Sequence, residues 1–306
     1  MLSLTITRWG GLGDVCMALS AAKAVKNTRI YFNTAPEYYP LVNACVWAEQ
    51  PSSSTPENTP IIDLSPAFHG TAPYHELLSL CHSLGVSSPD FKQIGLDLVI
   101  DSHHYTVPHF LLGDIPYVIL HPGITDPNRT LPQAFWDGLV KALTLDGHKV
   151  CIIGKSSSRD GRGVYRPKGD YVDLVDQLSL LETVALFRLQ GDSCLVSGDS
   201  GPIQLAGASD IGIVGIYSVT RGAWRLPFRC GGTTHRTIAI DVPCLCAPCY
   251  QLMENPHVAA PEVEALQRGE KTFGQVFSEW CPAGGYSCMQ KVSVDEVMEA
   301  IKTLTP

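Results

Sequence analysis

No run of this sequence approaches the ~18 apolar residues that a membrane span requires, so no transmembrane segment is expected. The opening stretch MLSLTITRWGG lacks a basic segment followed by an apolar run and a small-residue cleavage site. Export is therefore not expected, and the chain is expected to work in the cytoplasm. Charge is sparse, at 17% of 306 residues, and basic residues are outnumbered: 22 Lys and Arg against 30 Asp and Glu leave a formal charge of -8. A surface of that sign repels a phosphate backbone, which weighs against nonspecific nucleic-acid binding but leaves room for a local basic cleft. The dinucleotide fingerprint G-x-G-x-x-G is also missing. Its nearest counterpart, GGLGD at Gly10 to Asp14, has glycines at other offsets, and no acidic residue closes a second strand about twenty positions later. A nicotinamide enzyme is thereby disfavoured. Internal repeats are lacking as well, and the one biased tract, QPSSSTPENTP at Gln50 to Pro60, reads as a surface loop.

Apolar residues make up 45% of the chain, enough for a large core and for two domains of ordinary size. In the first half LTIT and RIYFN read as strands around a helix. IIDL and LDLVID read as further strands, with YHELLSLCHSLGV as a helix closed by Gly85 between them. HHYTVPHFLLGDIP, residues 103–116, has no clear period and is the candidate linker. The second half alternates more regularly. Strands YVILH, KVCIIG, SCLVSG and IGIVGIYS are interleaved with helices PQAFWDGLVKALTLDGH, SLLETVALFRLQ and PIQLAGAS, and an amphipathic helix SVDEVMEAIKTL ends the chain. Such alternation predicts α/β architecture with parallel sheets, in two facing Rossmann-like domains at residues 1–115 and 116–306. Ligands of open parallel sheets bind beyond the carboxyl ends of the strands, so the loops after LTIT, YVIL and SCLVSG should border one cleft.

Three segments on those loops carry polar chemistry. In TRWGGLGDVCMALSAAKAVK, Gly10, Gly11 and Gly13 form a strand-to-helix turn with Asp14 at the helix start. A turn of that kind suits an anion, through free backbone N–H groups, or a carboxylate that accepts a proton; the plainer use is a tight turn with Asp14 as the cap. In GDSGPIQLAGA, Asp199, Ser200 and Gly201 precede Pro202 at the first helical position, where proline loses no hydrogen bond. Gly201 would leave space for a phosphate, although a well-capped helix start accounts for the same residues. In LHPGITDPNRTLPQAFW, His121 and Gly123 end a strand and Arg129 precedes a helix, within reach of a diphosphate; a lone solvated charge is the simpler reading of that Arg.

Cysteine is plentiful, with 11 residues. In a chain without an export signal an odd count suggests reduced thiols or metal ligands. Cys246 and Cys249, beside Cys244 in CLCAPC, are followed by Cys281 and Cys288 in CPAGGYSC, with 31 residues between Cys249 and Cys281. Two such pairs are a candidate four-thiolate site for structural zinc or iron, and buried small hydrophobes are the alternative.

Together, GGLGDV with its small-residue helix, LHPG with a nearby basic residue, GDSGPIQLAGA and the late cysteine pattern resemble the ADP-heptose:lipopolysaccharide heptosyltransferase family. The resemblance spans nearly the whole chain. It implies a GT-B fold with a nucleotide-diphosphate sugar held mainly by the second domain, and inverting transfer without a catalytic metal. Asp14 matches the family's base, Arg129 stands near its basic residue, and Asp199, Ser200 and Gly201 match its phosphate-binding turn. Gln204 stands where the family has His, and Arg129 to Leu131 where it has Lys-x-Trp. Gln204 can donate a hydrogen bond there but carries no charge. The implied acceptor is a glycan or lipid-linked glycan. A glycosyltransferase acting on modified nucleic-acid bases and a non-catalytic nucleotide-sugar-binding protein are the rival readings. In such folds the terminal helix would be expected to pack back across the domain junction.

Overall fold

A computed structural model describes residues 2–65, 76–90, 94–100, 116–124, 126–157, 163–229, 235–249, 264–265, 267–270 and 281–305. Its first half opens with strand β1 (Leu2–Thr7), helix α1 (Leu12–Ala22) and strand β2 (Thr28–Asn33). A short helix α2 (Tyr39–Asn43), strands β3 (Ala48–Glu49) and β4 (Ile61–Asp63), and helix α3 (Glu76–Ser83) follow. The four strands form a sheet in the order β3-β2-β1-β4, with every pair parallel. Ile6, Ile30 and Phe32 are buried within it, as the β-branched and aromatic runs of LTIT and RIYFN require.

The second half begins with β5 (Tyr117–His121) and a two-residue strand β6 (Gly123–Ile124), then α4 (Gln133–Leu145) and β7 (Lys149–Ile152). Short strands β8 (Gly163–Val164) and β9 (Val172–Asp173) precede α5 (Leu180–Leu189), β10 (Cys194–Gly198), α6 (Gly201–Ala206) and β11 (Gly212–Tyr217). Helix α7 (Gly222–Arg225), β12 (Thr237–Asp241) and α8 (Val294–Leu304) complete the order. Its parallel sheet runs β12-β11-β10-β5-β7-β9, while β6 and β8 pair antiparallel beside it. Helix α5 starts where the sequence says it should. The Ser179 hydroxyl accepts the Glu182 N–H and the Glu182 carboxylate accepts the Ser179 N–H, a reciprocal cap.

Helices α1 and α6 pack against each other across the junction of the halves. Val15 and Leu19 of α1 and Ile203 and Leu205 of α6 belong to one continuous buried apolar cluster. Gly201 makes the approach close, because a Cβ there would stand 2.7 Å from the Leu12 Cβ.

Two expectations are corrected. LDLVID forms no strand over its described part, Leu96 to Ile100; the Val99 N–H bonds the Ala44 carbonyl and the Leu98 carbonyl accepts from Arg188, so tertiary partners replace a ladder. Among the described residues, the main contacts of the terminal helix α8 stay within the second half. It packs on α4, β11 and β12, with Ile301 and Leu304 in the same cluster as Trp136 and Leu139. The expected linker and the boundary at residue 115 lie outside the described residues. Among the described residues, no helix is long and apolar enough to cross a membrane.

Candidate active site

A cleft of about 400 Å³ opens where the carboxyl ends of β1, β5 and β10 meet, as parallel-sheet topology dictates. The first half contributes Gly11, Leu12, Gly13, Asp14 and Tyr38; the second contributes His121, Gly123, Arg129, Lys155 and the run Asp199 to Pro202. The two glycine-containing turns touch: a Cβ on Gly13 would lie 3.6 Å from the Gly201 Cα.

Asp14 sits in the first turn of α1 and its carboxylate reaches back to the turn. Oδ2 accepts the Gly11 N–H at 3.0 Å, and Oδ1 lies 3.2 Å from Nη2 of Arg8. Gly10 permits this reach, since a Cβ there would stand 2.7 Å from Oδ2. Asp14 keeps 32% of its side chain exposed, whereas Arg8 is buried and also donates to the Leu64 carbonyl. The carboxylate is thus held in one orientation while it still faces the cleft.

A second charge network closes the floor. Arg225 donates to Glu76, which comes from the first half, and its Nε lies 3.5 Å from Asp199 Oδ1. Burial opposes the Arg225 charge, but Glu76 and Asp199, with Asp14 behind them, hold the guanidinium well above the ordinary arginine range. Asp199 also accepts from Thr220 at 3.5 Å, so its carboxylate is engaged by both Arg225 and Thr220. Ser200 precedes α6 without capping it; its hydroxyl pairs instead with Ser197 at 2.8 Å and lies 3.4 Å from Nδ1 of His121. Burial lowers the His121 pKa to about 4, so this ring is neutral at physiological pH. It is packed by glycines on two sides: a Cβ at Gly123 would meet its Cε1 at 2.8 Å, and one at Gly154 its Cδ2 at 3.1 Å.

Besides Arg225, the cationic side chains lining the cleft's second half are Arg129 and Lys155. Arg129 pairs with Asp126 through Nη2, and Lys155 Nζ lies 3.4 Å from the Leu178 carbonyl. The cleft therefore sets one carboxylate on its first side opposite cations and uncapped backbone on its second.

Residues 73–253 match the sequence profile described as glycosyltransferase family 9 (heptosyltransferase), more than half of the chain. The protein belongs to that family. It is accordingly a glycosyltransferase of the heptosyltransferase type, and its fold is GT-B. The chain has no match among curated proteins. Among solved structures it is similar to a family 9 glycosyl transferase from Veillonella parvula DSM 2008, with a TM-score of 0.65 and 13% identity over 99% of this chain and 97% of that one. It is also similar to the iron-containing dodecameric glycosyltransferase TibC from enterotoxigenic E. coli H10407, with a TM-score of 0.68 and 17% identity over 99% and 76% of the two chains. TibC has been solved with ADP-D-β-D-heptose as well. The E. coli heptosyltransferase WaaC with ADP gives a TM-score of 0.54 at 13% identity, over 79% and 94%.

Within this family 9 enzyme, two expected site residues have other roles. Gln204 is buried and its amide donates to the Arg225 carbonyl, so it braces α7 and does not face the cleft. The space on the Cβ side of Gly201 is filled by Leu12, so that glycine allows close helix packing while it also lines the cleft. Arg8, Glu76, Lys155 and Arg225 line the cleft or pair with residues that do, and the sequence alone did not single them out. Arg8 and Lys155 lie just past the carboxyl ends of β1 and β7, where the loop rule could have found them, whereas Arg225 is the last residue of α7. Glu76 carries no such signal.

The cysteines gather without converging. Cys244 and Cys246 have sulfurs 3.1 Å apart, Cys288 hydrogen-bonds Cys244, and Cys249 hydrogen-bonds Cys246. Thiolates sharing one tetrahedral ion stand about 3.8 Å apart, as Zn–S bonds of about 2.3 Å require. Among the described residues, no three or more His, Cys, Asp or Glu side chains are arranged to hold a metal ion. The donor chemistry suits a soft ion, but these rotamers do not.

Proposed function

We propose that the enzyme transfers a sugar from a nucleotide-diphosphate donor to an acceptor hydroxyl with inversion at the anomeric carbon. The observation that carries this reading is the opposition of Asp14 to Arg129, Lys155 and the turn before α6 across one cleft. Residues 1–115 would present the acceptor and residues 116–306 the donor. Asp14 takes the proton of the acceptor hydroxyl as the oxygen attacks, and the bond to the diphosphate breaks on the opposite face of the sugar. Negative charge that grows on the leaving diphosphate meets Arg129, Lys155 and the N–H groups ahead of α6. Asp14 can do this only if oriented, and Arg8 and the Gly11 N–H supply the orientation. No metal enters any of these steps.

The donor held by TibC makes ADP-heptose the first sugar nucleotide to test, and a glycan or lipid-linked glycan the acceptor class. All ten cysteines among the described residues are free, in keeping with a reducing, cytoplasmic setting. Cys246, Cys249, Cys281 and Cys288 would hold one structural zinc or iron ion after their side chains rotate to converge, with Cys244 alongside; the support is their soft chemistry and clustering. The transfer reading is tested by incubation with a panel of nucleotide sugars and glycan acceptors, with the product's anomeric configuration read by NMR. A product of inverted configuration is expected. Retention would overturn the single-displacement mechanism.

A further inference from the structure

A second cavity, of about 610 Å³, lies at the other end of the α1–α6 pair. Helix α1 begins at the catalytic cleft and its 11 residues end at Ala22, followed by the C-cap Lys23, which lines this second cavity. At about 1.5 Å per residue that separates the two sites by roughly 16 Å along the helix. Helix α6 is disposed likewise, with Gly201 at the cleft and Gly207 and Ala208 at the cavity. The walls come from both halves of the molecule: Lys23 and residues 94–97 from the first, Arg188, Arg229 and Arg236 from the second. Here the halves meet closely, since a Cβ at Gly95 would lie 2.9 Å from the Phe228 carbonyl oxygen.

Three of the cavity's cations are already engaged. Lys23 pairs with Asp97 at 3.3 Å. Arg188 donates to the Ala208 and Leu98 carbonyls at 3.1 and 2.7 Å. Arg236 donates to the Leu304 carbonyl at 2.9 Å and to the Gly191 carbonyl. Arg229 differs. The residue lines the cavity and is only 3% exposed, and its three guanidinium nitrogens, all buried, have no hydrogen-bond partner among the described residues. Burial lowers its pKa to about 10, with Asp210 acting to raise it and Arg236 to lower it, so the group stays cationic at neutral pH. The three acids that line the cavity sit outward: Asp192 is exposed, and Asp210 is 83% and Asp97 65% exposed.

A buried guanidinium with no partner is costly, because its five N–H donors and its charge have lost water without compensation. A forked oxyanion meets both needs at once. We propose that this cavity is a second ligand site, separate from the catalytic cleft, which binds a small metabolite through a phosphate or carboxylate group seated on Arg229. Since both halves form its walls, the occupied site ties them together on the side away from the chemistry.

The test is calorimetric titration of the full chain with inorganic phosphate and, separately, citrate, which distinguishes the two oxyanion sources. Lys155→Ala serves as the control for phosphate in the catalytic cleft. Saturable binding of at least one probe is expected in the wild type and in Lys155→Ala, weakened by about tenfold or more in Arg229→Met, as loss of a charged hydrogen bond implies. Without added anion Arg229→Met should melt no lower than the wild type, having shed an unpaired buried charge, and phosphate or citrate should no longer raise its Tm. Arg229→Lys keeps the charge but not the fork, and is expected to bind about tenfold more weakly should the Met variant not fold. Wild-type affinity in both Arg229 variants, loss of binding in Lys155→Ala instead, or no binding of either probe to the wild type would each overturn the proposal.

Discussion

Arg8 Nη2 lies 3.2 Å from Asp14 Oδ1, and the two residues bracket the glycine turn at the end of the first strand. Arg8 is buried and fixed by the Leu64 carbonyl, so the pair anchors a partly exposed carboxylate to a rigid wall. Asp14 is therefore helix cap, ion-pair partner and cleft carboxylate at once. A cap alone would not need a buried guanidinium behind it.

Donor binding should depend on Lys155 and Arg129. Replacing either by Ala removes a cation from the diphosphate side of the cleft, and Arg129→Ala also leaves buried Asp126 without that partner. Loss of a charged hydrogen bond costs about 1.5 to 3 kcal/mol, so calorimetry with a bound nucleotide sugar should show affinity about ten- to a hundredfold weaker. Undiminished affinity in both variants would place the diphosphate elsewhere.

Gly201→Ala is expected to destabilise the fold, because the new methyl meets Leu12 at 2.7 Å across the domain junction. Overpacking of this kind costs about 1 to 3 kcal/mol. Chemical denaturation should record that loss and its partial recovery in the double variant with Leu12→Ala. If the single variant is as stable as the wild type, the two helices are not in close contact.

Most strands and helices were legible because apolar periodicity and helix caps are local signals. The alternation of strands and helices from YVILH through SLLETVALFRLQ to IGIVGIYS is an example. LDLVID failed because its alternation fits a strand equally well, while the deciding partners, Ala44 and Arg188, are distant in sequence. At the site, glycine turns and an acid at a helix start announced Asp14. The Arg225–Glu76 pair was illegible, since 149 residues separate its members and only the closed junction brings them together. Gly201 was legible as a required glycine, but its close approach to the Leu12 side chain of the other half was not.

His121 should give the protein an acid-sensitive limb. Its pKa falls from about 6.5 when unfolded to about 4 in the buried site, so between those values the unfolded chain binds the extra proton. The stabilising contribution is complete above about pH 6.5 and is lost as pH falls towards 4. Urea unfolding at pH 7 and pH 4.5 should show that the acid-induced loss in His121→Gln is smaller than in the wild type by about 2 to 3 kcal/mol. An identical loss would mean that the ring is already protonated in the fold.

Elemental analysis of protein purified without added metal should find close to one zinc or iron per chain. Replacing Cys246 and Cys249 by Ser should abolish it and lower the Tm while donor affinity is retained. A metal-free wild type with the same Tm as the double variant would leave the thiols as packing residues only.

The measurement that bears most directly on the whole account is the single-turnover rate of sugar transfer by Asp14→Asn, taken with its Tm and donor affinity. Asn keeps the size and can still accept the Gly11 N–H, so the turn and the cap survive, although the ion pair with Arg8 is lost. The account predicts a folded protein with a modestly lower Tm, donor affinity close to that of the wild type, and transfer slower by roughly 10²- to 10⁴-fold, the usual worth of a general base. Transfer at the wild-type rate would contradict it and reduce Asp14 to a helix cap.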